Sequence, residues 1–107
     1  PWIPAEPNTR LDRAVYDPAG AVLTRWLGDL AEHLSPGGRG ALILSDLPEL
    51  LGLRATDAIH RACADAGLRI YAEHAVPASH GRARDVADPL HRARAAERVR
   101  LFLLAPG

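Results

Sequence analysis

Cysteine occurs once in this 107-residue sequence, methionine and lysine never, and aromatic residues make up only 5% of it. Each shortage sets a bound. With Cys63 alone no intrachain disulfide can form, and a cytoplasmic setting is expected. All 13 basic residues are arginine, which together with the abundant alanine reads as a compositional bias rather than a function. The 13 acidic residues balance them to a formal net charge of zero, so the chain lacks the basic footprint of a nucleic-acid binder. No apolar run approaches the ~18–20 residues of a membrane span, so no membrane partner is expected.

The 48% hydrophobic content with even charge fits one soluble globular domain, residues 1–107. A chain of this size buries roughly two-thirds of its extended surface, enough for one core. Residues 1–16 hold three prolines and no periodicity, which predicts an extended arm. At Asp17-Pro18 the pattern changes to an N-cap followed by a first-turn proline. Val22, Leu23, Trp26, Leu27, Leu30, Ala31 and Leu34 then form one apolar stripe at helical period. Ser35-Pro36-Gly37-Gly38 ends that helix.

Ala41, Leu42, Ile43 and Leu44 make a continuous apolar run within residues 40–46, which predicts a strand covered on both faces. A short helical turn is expected over residues 47–53. A second helix is expected from Thr56, with Ala58, Ile59, Ala62, Cys63 and Ala66 inward and Gly67 at its end. Residues 68–76 alternate as a strand, with Leu68, Ile70, Ala72 and His74 against Arg69, Tyr71, Glu73 and Ala75. A polar insert over 78–96 contains a short helix from Asp88-Pro89, and residues 99–105 form the last strand. The first strand, helix and second strand predict a parallel pair with a right-handed crossover. The last two strands predict an antiparallel hairpin with a long insert. The fold class is therefore α/β, about three strands with helices packed on the sheet. A buried-looking strand at the edge of so thin a sheet reads as part of a larger one.

Few residues stand out as chemistry. Ser35 to Gly40 is glycine-rich but follows a helix and opens a strand, the reverse of a phosphate-binding loop, so it reads as a tight turn. Cys63 reads as a small buried hydrophobe rather than a nucleophile. The five histidines show no zinc-type spacing. His33 suits the last turn of its helix, and His60 should face solvent. His80 and His91 share the polar insert with Asp85 and Asp88, which reads as a solvated loop ahead of a metal or catalytic cluster. Asp46, at the carboxyl end of the first strand, is a loop cap or a ligand contact. Trp2, between Pro1 and Pro4, is a core anchor or a flat stacking surface.

Pro1-Trp2-Ile3-Pro4, the turn Leu34-Ser35-Pro36-Gly37-Gly38-Arg39-Gly40 and the order of elements after it resemble the C-terminal half of class I S-adenosylmethionine-dependent methyltransferases. The group is the one with an Asn-Pro-Pro-aromatic motif, in the small methyltransferase domain type. The resemblance implies a partial Rossmann-like fold, with the turn leading into that fold's fifth strand and a final antiparallel hairpin. It implies that Pro1 and Trp2 are the last two residues of the motif, with Trp2 stacking on the substrate. The parent would methylate a planar amino or amide nitrogen, on a protein glutamine, a nucleobase or a small molecule. S-adenosylmethionine would be the parent's cofactor. The glycine-rich turn and acidic residue that hold it have no counterpart here, so the fragment alone is expected to bind no cofactor and to be inactive. The first strand would normally pair with an upstream fourth strand, and its open edge predicts a homo-oligomer. A non-catalytic α/β module that recruits a partner through that edge is the alternative.

Overall fold

Gly20 fixes where the first helix begins. The structure, a computed structural model, describes residues 20–78 and 91–107. The arm over residues 1–16 and the expected caps Asp17 and Pro18 lie outside them. Gly20 is left-handed (φ 69°), which interrupts helical backbone, so α1 spans Ala21–His33 and starts later than the sequence predicts. There follow β1 (Gly40–Ser45), α2 (Leu47–Leu50), α3 (Ala58–Asp65), β2 (Leu68–Pro77), α4 (His91–Ala96) and β3 (Arg98–Pro106). The turn after α1 is closed by Gly38 N–H donating to Ser35 O at 2.8 Å, as expected. α3 starts at Ala58 after Asp57 rather than at Thr56, and Asp57 pairs with Arg61 one turn on at 3.2 Å. Gly67 (φ 80°) ends α3, as the sequence predicts.

The strand order is β1-β3-β2, with β3 antiparallel to both neighbours. The β2–β3 hairpin is the expected one. The parallel β1–β2 pair is not formed: the two strands run the same way, but β3 lies between them. The reason lies in β3 itself, where Phe102 and Leu104 are fully buried. Only at the centre of the sheet does that apolar run have ladders on both sides and both long helices above it.

The core lies on one face. Leu27 of α1 and Ile59 and Cys63 of α3 pack on Leu42, Leu44, Leu68, Phe102 and Leu104 of the sheet. The expectation that the first strand is covered on both faces is not met. Leu42 and Leu44 are buried, whereas Ala41 is exposed and Ile43 is 63% exposed. Among the described residues, all the covering elements of the core lie on the Leu42 side, so a continuous apolar run becomes an alternating one. The stripe on α1 is likewise wider than its contact: Val22 and Trp26 stay exposed on one flank. In β2, a bulge between Ile70 and Ala72 breaks the simple alternation. Ile70 faces Leu104 on the covered side, and beyond the bulge Glu73 faces Phe102 there instead of Ala72.

Two measurements probe this core. Phe102→Ala should destabilise the chain by about 3–5 kcal/mol, read by urea unfolding. Burial pushes the Cys63 thiol above its ordinary value of 9.0. A raised folded-state pKa means that its contribution is complete below the unfolded pKa and is lost as pH rises through the folded one. Stability measured from pH 7 to 10.5 should therefore fall at the alkaline end, and Cys63→Ala should lessen that fall.

Candidate functional site

β1 ends at Ser45, and the backbone there stops running as a regular ladder. Asp46 N–H still donates to Arg98 O at 3.0 Å. The return bond goes from Arg98 N–H to Asp46 Oδ1 at 2.8 Å, so a side-chain carboxylate takes the place of a carbonyl. This extends the β1–β3 pairing by one residue and starts α2, whose proline at the second position needs no donor. The Ser45 hydroxyl donates to Glu97 and accepts from Leu47 N–H at 2.9 Å. Glu97 is itself buried. Asp46 thus caps the Arg98 amide through Oδ1, the loop-cap role of the two expected for it.

Beneath this turn lies a buried charge cluster. Glu49 of α2 holds Arg54 at 3.2 Å through Oε1 and Arg100 of β3 at 2.7 Å through Oε2. The three side chains are only 6–11% exposed. Arg100 also donates to Ser45 O at 3.0 Å and stacks over Phe102, its guanidinium carbon 5.3 Å from the ring centroid. Its Nε is buried with no hydrogen-bond partner among the described residues. Two guanidiniums on one carboxylate match its geometry well, and in low dielectric such a pairing is worth keeping only when it is complete. Chemically this arrangement fastens α2 to the sheet, leaving no group free to act as base or nucleophile.

The other titratable groups are spread out. His33 Nδ1 lies 2.6 Å from Asp29 O in the last turn of α1. His60, expected to face solvent, is half exposed, with Nε2 3.0 Å from Glu73 Oε2 and its ring edge-on to Phe102 at 5.8 Å. The bulge in β2 makes that pair possible, because it turns Glu73 toward α3. Cys63 is buried, as expected. Among the described residues no group of three His, Cys, Asp or Glu side chains could hold a metal. No described helix is long and apolar enough to cross a membrane. An open groove of about 430 Å³ runs between α1 and α3, lined by Thr24, Gly28, Ala58, Arg61, Ala62 and Asp65 among others.

Pro1 and Trp2, the residues the resemblance singles out, lie outside the described residues, as do His80, Asp85, Asp88 and the His91 side chain. The sequence reading missed Ser45, Glu49, Arg54, Glu97 and Arg100 altogether. One signal was present: Arg98 and Arg100 alternate with Val99 and Leu101 at the start of an apolar strand, a pattern that asks for a buried partner.

Glu49→Ala leaves Arg54 and Arg100 buried without their shared anion. It should cost about 3–5 kcal/mol in urea unfolding, more than its small loss of volume explains. Compared with protein-family models, with curated proteins and with solved structures, the chain matches none of them.

Proposed function

We propose that this chain is the C-terminal, substrate-side half of an S-adenosylmethionine-dependent methyltransferase domain acting on a planar amino or amide nitrogen. The observation that supports the reading is the succession from the Pro36-Gly37-Gly38 turn onward. The turn leads into β1, α3 follows, and β2 and β3 close as an antiparallel hairpin. The resemblance implies that succession from the fifth strand to the end of the domain. The outer edge of β1, unpaired among the described residues, is the side on which that fold's fourth strand belongs.

The described residues do not fit the methyl donor. At the carboxyl end of β1, Glu49 binds Arg54 and Arg100, and one oxygen of the Asp46 carboxylate accepts from a backbone amide. On this reading the donor is held by the loops that the resemblance places upstream, and the chain's own part is on the acceptor side. The resemblance implies that Trp2 stacks on the planar amide or base, which would orient its nitrogen.

The test uses the chain extended upstream of Pro1 through a glycine-rich turn. By calorimetry the extended protein should bind S-adenosylmethionine and the 107-residue chain should not. In the extended protein, Trp2→Ala should lower methyl transfer by roughly 10–100-fold with donor affinity unchanged. An extended protein that binds no donor would overturn the proposal.

A further inference from the structure

In the antiparallel β1–β3 ladder, hydrogen-bonded and non-hydrogen-bonded residues alternate. Asp46 N–H is bonded to Arg98 O, so Leu44, Leu42 and Gly40 also point their backbone groups toward β3. Ala41, Ile43 and Ser45 then point theirs to the outer edge. Arg100 already occupies the Ser45 carbonyl at 3.0 Å. That leaves Ala41 and Ile43 as the edge's available pairing residues among the described ones. Nothing in β1 protects this edge: the strand GALILS has no charge, no proline and no bulge.

α1 overhangs the same side. Leu30 lies directly over Gly40, where a Cβ would stand 2.7 Å from Leu30 Cδ2. Thr24 and Gly28 line the groove toward α3. Trp26 is two residues from each, about 200° around the helix, so it faces the opposite flank with Val22 one turn before it. Val22 is 48% and Trp26 41% exposed. The charges beside that flank are ordered along the helix. Arg25 comes first and Asp29 one turn later, both exposed and touching only at 4.0 Å.

We propose that the β1 edge is a self-association surface whose occupant is a second copy of this chain, related by a two-fold axis through Leu42 perpendicular to the sheet. Ala41 of each copy exchanges both backbone hydrogen bonds with Ile43 of the other, joining three strands from each copy into one continuous sheet. The register follows from Ser45 being taken by Arg100: centring on Leu42 uses the two open residues and leaves Ser45 aside. Exposed Ile43 then packs beside Ala41 of the second copy on the open face. The two α1 helices meet antiparallel on the other face, which shields Val22 and Trp26. That direction brings Arg25 toward Asp29 of the second copy, whereas a parallel approach would set like charges together. An isologous contact of this kind closes on itself and stops at a dimer.

This inference concerns the 107-residue chain and does not rest on the methyltransferase reading; its test never measures donor binding. Sedimentation across a hundredfold range of concentration should show a monomer–dimer equilibrium. Ile43→Lys, at an exposed position, should weaken it by about tenfold or more with an unchanged circular dichroism spectrum. Arg25→Glu should weaken it too, and Arg25→Glu combined with Asp29→Arg should restore it. Hydrogen exchange at the Ala41 and Ile43 amides should slow as concentration rises. A strict monomer, or a dimer indifferent to Ile43→Lys and to the charge exchange, would overturn the proposal. So would protection of those two amides that is independent of concentration, which would mean that another part of the same chain fills the edge.

Discussion

Phe102 sits fully buried at the middle of β3, and the ladders on either side of that strand are what join β1 to β2. The rest of the described structure depends on this position. α3 reaches the sheet by packing on β2, while Leu30 of α1 lies over β1, so the two long helices belong to different outer strands. Leu27, Ile59 and Cys63 meet only because Phe102 and Leu104 fill the space between those strands. A one-residue slip of β3 would turn Phe102 and Leu104 outward and bring Leu101 and Leu103 in, undoing both halves of the core at once.

The carboxyl end of β1 is held by a different kind of force. Apolar contact gives way there to a closed set of charge-assisted bonds, in which Glu49 serves two arginines and Asp46 stands in for a peptide carbonyl. Such a set specifies geometry more than it adds stability, because the desolvation of each charge offsets much of the attraction. In open α/β sheets this is the end at which ligands bind, and here Glu49, Arg54 and Arg100 are bonded to one another, with Arg100 Nε the one buried side-chain atom without a partner among the described residues.

Local signals in the sequence were read well where backbone chemistry decides. The turn at Ser35 to Gly38, the end of α3 at Gly67, the buried Cys63 and the β2–β3 hairpin all follow from residue type and spacing. Strand order was not legible, because the direction of β1 and β2 is compatible with their pairing or with a third strand between them. The burial of the first strand was misread for a related reason. Four apolar residues in a row do not say whether a second layer exists, and Ile43 shows that none covers it among the described residues. The charge cluster was hidden because Glu49 and Arg100 are 51 residues apart, and only the fold brings them together. Trp2 and Pro1 rest on resemblance alone.

The bulge in β2 bears on which changes of length the strand can absorb. Tyr71 is the extra residue, opposed by nothing in β3: Ile70 pairs with Leu104 and Ala72 with the next residue, Leu103. A deletion of Tyr71 would leave every other cross-strand partner where it is. A deletion at any position from Glu73 to Val76 would move each residue beyond it to the opposite face, sending Ala75 or Pro77 outward and His74 or Val76 inward. Between Leu68 and Pro77 the chain thus has one place, the Tyr71-Ala72 bulge, where losing a residue keeps the register of the rest.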